Sequence, residues 1–375
     1  MTTASDVLTD VTTGILFRNP SPHVRSIHAY FPSVARHRGR ELLATLVLAE
    51  AFEAVNGRVH WARSADGGRS WESRGAFGAG PATELTSESG RITVVSDNHL
   101  VVLLQQSDRR QHPNEGLTNP ATLGFVPTSF SIVESFDAGK TWGRPRRVEP
   151  PLEGPNFEIC SSIKVLRDGR WLLPTSTWSG WNGELPNGNR MVAFVSEDAG
   201  RTWPTYLDIM SSPQNTQCFW ESKIVELPDG GLLVPAWVYD KQAKADLPNQ
   251  YTLSRDGGRT WLPLQSTRLE GQTLTPHLLE DGRVVCVYRR MDRSGLWAQV
   301  VRIQGDRWVN EGTQPLWGHG ETGLTATTGS MAHNFHVLRF GAPSITSVGQ
   351  NEVFVAFWCY EDCVSVIRWF RFQVA

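Results

Sequence analysis

One eight-residue pattern occurs four times in this chain of 375 residues, and each copy reads Ser-x-Asp-x-Gly-x-Ser/Thr-Trp. The copies begin at Ser64, Ser135, Ser196 and Ser254, so the spacings are 71, 61 and 58 residues. Asp can hydrogen-bond to its own backbone and Gly tolerates a positive φ, so each copy predicts a tight turn at the tip of a hairpin. The recurrence predicts one repeated structural unit, with each Trp packed between neighbouring sheets.

A second set of hairpins divides the chain further. Pairs of apolar runs flank short turns, three of them Asp-Gly turns, with predicted tips at 38–39, 97–98, 168–169, 229–230, 281–282 and 350–351. Each of the first four hairpins is followed by one repeated turn, and the fifth by a degenerate version, IQGDRW. Two hairpins in each unit of about 60 residues predict four-stranded antiparallel blades.

The fold class predicted for residues 1–375 is therefore all-β, a single six-bladed β-propeller. A TIM barrel or a Rossmann fold requires helical patterns of about 10–15 residues between strands, and the sequence contains none. An unrelated β-sandwich is the remaining alternative from the pattern.

Charge and cysteine content exclude several classes of function. The formal net charge is −2 and the basic residues are scattered, which argues against nucleic acid as a partner. The first residues lack a basic segment followed by an apolar core, so we expect no secretory signal, no membrane partner and a cytoplasmic protein. The five cysteines lack zinc-like spacing, so we expect buried or inert thiols and neither a metal nor another cofactor. The oligomeric state is left open.

The candidate site lies where the first strand of each blade begins, because both kinds of turn are predicted on the opposite face of the propeller. Glu158 and Glu221 interrupt apolar strand starts on adjacent blades, and a charge there is costly unless it has a role. They form the predicted catalytic pair, with Glu50 as a third carboxylate. The predicted substrate-binding residues are His28, Tyr30, Arg109, Trp178, Trp181, Trp220, Tyr239, Gln272, Arg289, Arg290, His333 and Tyr360.

The four repeated turns resemble the Asp boxes, or BNR repeats, of the sialidase-like superfamily, and the whole chain resembles its six-bladed propellers. Sialidases bind a substrate carboxylate with three arginines and attack with a tyrosine that a glutamate activates. The resemblance implies that Glu221, in ESKIVELPDGGLLVPAW, takes the place of that glutamate. Tyr30 and Trp237 stand where two arginines are expected, and Ala342 stands where the tyrosine is expected.

The family pattern has two further positions, a third arginine and an acid/base aspartate. The third arginine is expected at Arg290 or Arg293. The acid/base aspartate of the first blade has no match, and the nearest carboxylates are Glu50 and Glu53. Without two arginines and the nucleophile, a sialic acid carboxylate loses its bidentate partners.

The sequence therefore predicts a glycoside hydrolase of this superfamily that removes sugars from one end of a non-sialic-acid oligosaccharide. Exo-acting arabinanases, which use two glutamates, show a similar pattern. We expect Glu158 and Glu221 to share one pocket and one of them to carry a raised pKa, and a close approach would favour retention of configuration. The alternatives are a true exo-sialidase, a lyase acting on a uronic-acid glycan, and a sugar-binding propeller without catalysis.

Overall fold

Six antiparallel sheets account for the strands of the computed structural model, which describes residues 7–77, 85–154, 156–320, 331 and 334–375. Blades one to three contain strands β2 (His28–Arg36), β3 (Leu42–Ala49), β4 (Arg58–Ser64) and β5 (Glu72–Ala76); β6 (Thr86–Val94), β7 (Leu100–Asp108), β8 (Thr128–Ser135) and β9 (Arg146–Arg147); and β10 (Lys164–Val165), β11 (Trp171–Ser176), β12 (Asn189–Ser196) and β13 (Thr205–Ser212).

Blades four to six follow the same plan. They contain β14 (Gln217–Trp220), β15 (Val225–Glu226), β16 (Leu232–Asp240), β17 (Ala245–Ser254) and β18 (Gln265–Ser266); β19 (Gly271–Leu278), β20 (Val284–Arg290), β21 (Leu296–Gln304) and β22 (Arg307–Trp317); and β23 (Phe340–Gly349), β24 (Glu352–Glu361), β25 (Val364–Val374) and β1 (Leu8–Phe17). The predicted all-β, six-bladed architecture is confirmed. Within the described residues, no helix has the length and apolar character needed to cross a membrane.

The repeated turns connect the third and fourth strands of blades one to four, as the sequence predicts. In the first copy, the Asp66 carboxylate accepts the backbone N–H groups of Arg69 and Ser70 at 3.0 Å and the Ser70 hydroxyl at 2.6 Å. Gly68 has a φ of +90°, and a Cβ at this position would overlap the Phe354 ring of blade six. The turn therefore requires both its Asp and its second Gly.

The Trp residues that end these turns lie between neighbouring sheets. The ring of Trp71 lies 5.9 Å from the ring of Phe354 in blade six, and the ring of Trp142 lies 5.5 Å from that of Trp61 in blade one. Trp203 is only 3 % exposed. The predicted packing is confirmed, and it holds adjacent blades together through apolar contact.

The chain ends meet in blade six. Strand β1 pairs with β25 over its whole length, so the N-terminal segment supplies the outermost strand next to the C-terminal one. This pairing closes the ring of blades. The sequence analysis did not predict it, because the segment LTDVTTGILF has no hairpin partner nearby in the chain.

Irregularities in the innermost strands of four blades matter for the site. Phe31, Glu221, Thr273 and Ala342 have positive φ values of 49°, 48°, 59° and 47°. Register shifts mark these positions in blades one, five and six, and in blade four the inner strand is split between β14 and β15. A non-glycine residue in this region costs on the order of 1–3 kcal/mol and is often associated with function. All four residues border one cavity.

Candidate active site

The cavity at the start of the inner strands, here called the upper chamber, has a volume of about 190 Å³. Every blade contributes to its wall, and one residue from each in order is Phe31, Arg91, Glu158, Glu221, Thr273 and Ala342. Much of the remaining wall is aromatic and includes Phe52, Phe125, Trp178, Trp220, Trp237, Phe335 and Trp358. A small apolar chamber with a few polar groups is typical of a ligand site, and its aromatic faces suit the apolar faces of a sugar ring.

Glu158 is a buried carboxyl group, only 7 % exposed, and it lies in the segment that leads into β10. Its Oε2 accepts the backbone N–H of Glu221 at 3.1 Å and the thiol of Cys160 at 3.2 Å. No cationic side chain among the described residues forms an ion pair with it. Burial, and to a lesser extent the negative charge of Glu221, raise the pKa of Glu158 to about 7. The expectation of one raised pKa is thus confirmed, and Glu158 holds its proton up to neutral pH.

Glu221 has the opposite surroundings. Its Oε2 lies 3.8 Å from Lys223 Nζ, which also donates to the Glu221 carbonyl at 2.7 Å. Burial lowers the pKa of Arg91 and of Arg289, and in both cases the negative charge of Glu221 opposes that shift. Three cationic side chains therefore act on the Glu221 carboxylate, and Lys223 forms an ion pair with it. Arg91 and Lys223 also act on Glu158, but their attraction does not outweigh the effect of its burial. Two like residues therefore have different electrostatic environments within one chamber.

Arg289 is held rigidly at the chamber wall. Its guanidinium donates twice to Gln272 Oε1, at 3.0 and 2.6 Å, and once to the Phe340 carbonyl at 2.6 Å. Gln272 donates in turn to Asp246 at 2.5 Å, and Asp246 also accepts the indole N–H of Trp237 at 2.7 Å. This network fixes the orientation of both Arg289 and Trp237. Burial lowers the pKa of Arg289 to about 10, so it stays charged at neutral pH.

A third carboxyl group, Glu53, borders the upper chamber from the loop between β3 and β4. Its Oε2 accepts the backbone N–H of Leu117 at 3.0 Å, and its carbonyl accepts Arg109 Nη1 at 2.7 Å. Burial raises the pKa of Glu53 to about 7. Glu50, which the sequence analysis chose from this loop, is exposed and lies outside the chamber wall, so Glu53 replaces it as the candidate.

The structure brings five of the predicted site residues together in the chamber wall: Glu158, Glu221, Trp178, Trp220 and Arg289. Two others lie directly behind that wall. Gln272 supports Arg289, and the ring of Tyr239 stacks on the outer side of Trp220 at 5.3 Å. His333 lies outside the described residues.

The remaining predicted residues are placed away from the chamber, each with another partner. Tyr30 is fully buried between blades one and six, where its hydroxyl bonds to that of Tyr360 at 2.8 Å, and His28 Nδ1 accepts the backbone N–H of Ser365 at 3.0 Å. Arg109 donates to the carbonyls of Glu53 and Glu115. These four residues hold the surrounding framework, so the expectation that they face the substrate does not fit the structure.

Trp181 and Arg290 also point elsewhere. The ring of Trp181 stacks on that of His112 at 3.8 Å. Arg290 pairs with Asp292 and lies 4.7 Å above the ring of Trp297, which Arg293 also approaches at 5.9 Å. The third arginine expected at Arg290 or Arg293 is thus not in the chamber, and Arg289 is the residue of this segment that lines it.

Sequence reasoning missed Arg91 and the aromatic residues Phe52, Phe125 and Trp358. Arg91 lies six positions before the predicted hairpin tip at 97–98, and Lys223 lies six positions before the tip at 229–230. Counting six positions back from the hairpin tip in every blade would have identified Arg91 as the equivalent of Lys223. The aromatic residues come from loops and strand ends whose direction the pattern did not indicate. Among the described residues, no group of three or more His, Cys, Asp or Glu side chains is placed to hold a metal ion.

Comparisons with known proteins agree with the fold. Residues 176–316, which cover most of blades three to five, match the family model described as a BNR repeat-like domain. A crystal structure of a protein of unknown function from Dyadobacter fermentans superposes with a TM-score of 0.75 at 18 % identity, covering 98 % of this chain and 100 % of that one. A search of curated proteins finds no match.

Sialidases are among the similar solved structures. A Trypanosoma rangeli sialidase mutant that displays trans-sialidase activity has a TM-score of 0.67 at 15 % identity, covering 98 % of this chain but 60 % of that one. The intramolecular trans-sialidase from Ruminococcus gnavus, in complex with oseltamivir carboxylate, has a TM-score of 0.62 at 12 % identity, covering 92 % and 94 %. The fold is thus a six-bladed β-propeller similar to that of these sialidases, and part of the chain matches a BNR repeat-like domain. The BNR repeat-like part of it extends from the end of β11 to β22.

Proposed function

We propose that this protein is a glycoside hydrolase that releases one terminal sugar, with Glu158 as the general acid and Glu221 as its anionic partner. The observation that carries the proposal is the pair of carboxyl groups in one aromatic chamber, one protonated near neutral pH and one facing three cations. Glycoside hydrolysis requires such a pair, because one group protonates the leaving oxygen while the other acts at the anomeric carbon or on water.

The chemical roles follow from these surroundings. Glu158 transfers its proton to the glycosidic oxygen as the bond to the anomeric carbon breaks. Glu221 either attacks that carbon directly or takes a proton from an attacking water molecule, and the stereochemistry of the product distinguishes the two routes. The chamber of about 190 Å³ is smaller than many ligand pockets, which favours one sugar ring at the end of a chain.

A sialic acid is a poor fit to this chamber. Tyr30 is buried behind the wall, the indole of Trp237 is engaged by Asp246, and Ala342 lacks a hydroxyl group for nucleophilic attack. Sialidase activity is stated for the similar trypanosome and Ruminococcus proteins. For this chain we propose a different sugar.

One observation favours a second candidate, a lyase acting on a uronic-acid glycan. Arg91 and Arg289 both border the upper chamber, and guanidinium groups bind carboxylates well. A lyase leaves an unsaturated sugar that absorbs ultraviolet light, whereas a hydrolase adds water and leaves none. Absorbance of the products therefore separates the two reactions.

The test is a screen of purified protein against aryl glycosides and oligosaccharides, an aryl sialoside included, followed by variants on the best substrate. We expect negligible turnover of the sialoside. Glu158→Gln and Glu221→Gln are each expected to reduce kcat by about 10²–10⁴-fold while substrate binding, measured by calorimetry, is retained. The control is Glu197→Gln, an exposed carboxylate in the repeated turn of blade three.

Two results would contradict the proposal. Full activity in both chamber variants would remove the carboxyl pair from the mechanism. Binding of a sugar without turnover in the wild-type protein would instead support a sugar-binding propeller.

A further inference from the structure

A second cavity, of about 200 Å³, adjoins the upper chamber along the central channel. It is called the lower chamber here and is bordered by a ring of one residue from each blade: Pro32, Arg91, Ser162, Lys223, Thr275 and Ser344. Each of these residues lies six positions before the first residue of its predicted hairpin tip, so they occupy equivalent places in the six inner strands. Arg91, Glu221 and Ala342 border both chambers.

Positive charge predominates in the lower chamber. Its wall contains three cationic side chains, Arg91, Lys164 and Lys223, and one carboxylate, Glu221. Cys160 also lines it, but burial raises the pKa of this thiol far above neutral, so it carries no charge. The three cations come from blades two, three and four, and the other half of the wall is uncharged.

The cations have few partners of their own. The one hydrogen bond of the Arg91 side chain among the described residues is to the Gly90 carbonyl at 3.1 Å. Lys223 donates to the Glu221 carbonyl at 2.7 Å. Lys164 Nζ has no hydrogen-bond acceptor among the described residues. Arg91 and Lys164 therefore have N–H groups that meet no protein acceptor among the described residues.

The neighbouring titratable groups do not neutralise this excess. Glu226 acts on Lys164 from a distance, but its carboxylate oxygens accept the backbone N–H of Arg167 at 3.2 and 3.3 Å. Burial and the charge of Lys164 lower the pKa of His277 to about 4, so its ring is neutral. Glu158, in the upper chamber, is protonated up to about neutral pH.

We propose that the lower chamber binds a small oxyanion, such as phosphate, sulfate or a carboxylate. Three partly buried cations share one carboxylate in this wall, and an anion between Arg91, Lys164 and Lys223 supplies the missing charge and acceptors. The hydroxyl groups of Ser162 and Ser344 lie in the same ring of residues. Because Arg91 and Lys223 also act on Glu221, an anion here competes with that carboxylate for the same cations and thereby couples the two chambers.

The experiment measures anion binding directly, by calorimetry and by thermal unfolding. The full chain is titrated with inorganic phosphate, sulfate and acetate at pH 7, with ionic strength kept constant by the bulky HEPES anion. We expect saturable binding and a rise in Tm for the wild type. The preferred anion reports whether the chamber fits a tetrahedral or a planar group.

Variants locate the site. Lys164→Met and Lys223→Met are each expected to weaken binding by at least about tenfold, and Lys140→Met, on the exposed turn of blade two, is the control that keeps it. In anion-free buffer Lys164→Met is expected to be at least as stable as the wild type, because it removes a half-buried charge whose Nζ has no hydrogen-bond acceptor among the described residues. Absence of saturable binding in the wild type, or equal binding in Lys164→Met and Lys140→Met, would overturn the proposal. Neither readout depends on hydrolysis.

Discussion

At the residue scale, two identical side chains acquire different properties from their neighbours. Glu158 accepts N–H and S–H donors without an ion pair among the described residues, whereas Glu221 lies beside Lys223 and under the influence of two arginines. The backbone N–H of Glu221 also donates to Glu158, so the positive φ of Glu221 places the second carboxyl group while it anchors the first. The break between β14 and β15 at Glu221 therefore links the positions of the two carboxyl groups to their electrostatics.

Glu53 yields a prediction about pH and stability. Its folded-state pKa is raised from an ordinary value of 4.5 to about 7, so the folded protein binds the proton more tightly than the unfolded chain. The stabilisation this gives is fully present below about pH 4.5 and is lost as the pH rises through about 7. We expect Glu53→Gln to reduce the pH dependence of the free energy of unfolding between pH 5 and 8, measured with urea.

The matched control for that measurement is Glu197→Gln, in which an exposed carboxylate is changed and the slope should remain that of the wild type. The same slope in Glu53→Gln as in the wild type would show that Glu53 titrates normally. The raised pKa of Glu158 adds to the pH dependence of stability with the same sign in both proteins. The contribution of Glu53 is therefore the difference in slope between the variant and the wild type.

At the element scale, the repeated turn is a structural unit that joins blades. Its Asp binds the backbone of the turn, and its Trp fills the space between sheets. Its second Gly allows close approach of the preceding blade in three copies and of Trp171 in the same blade in the copy at Gly200. The Asp137 carboxylate illustrates the local bonding, because hydrogen bonds from the hydroxyl and backbone N–H of Thr141 lower its pKa to about 2. The function of the turn is thus accounted for by the fold.

Substitution of the buried Trp tests this role. Trp203, only 3 % exposed, packs with apolar residues of blades two and three, so Trp203→Ala should lower the free energy of unfolding by about 3–5 kcal/mol. The control is Phe136→Ala, since Phe136 lies in an equivalent turn but is 69 % exposed, and its change should stay within about 0.5 kcal/mol. Chemical denaturation measures both values, and equal losses would show that the Trp residues do not hold the blades together.

At the scale of the whole molecule, the features that the sequence predicts are those that depend on residues close together in the chain. Hairpin tips and repeated turns depend on residues close in the chain, and their positions are confirmed. Closure of blade six by β1 depends on a pairing across more than 350 residues, between Leu8 and Val374 for example, and no local pattern indicates it. The sequence pattern therefore does not predict contacts between distant segments.

The candidate site shows the same division. Glu158 and Glu221 were found because they interrupt apolar segments, and both line the chamber. The choice between Glu50 and Glu53 depends on the path of one loop, and the choice between Arg289 and Arg290 depends on which face of β20 each side chain occupies. The alternation of side chains along a strand divides its residues between the two faces of the sheet. It does not indicate which face lines the central channel, because a bulge shifts the register.

The central claim, that Glu158 is a proton-carrying group whose pKa is raised by its burial and by Glu221, is tested most directly by a carboxyl ¹³C NMR titration. Protein labelled at the glutamate carboxyl carbons is compared with Glu158→Gln, which assigns the signal, and with Glu221→Gln, which removes the neighbouring charge. Glu158 is expected to titrate at about pH 7 in the wild type and at a lower pH in Glu221→Gln. Titration near the ordinary value of 4.5, or a midpoint that Glu221→Gln leaves unchanged, would contradict it.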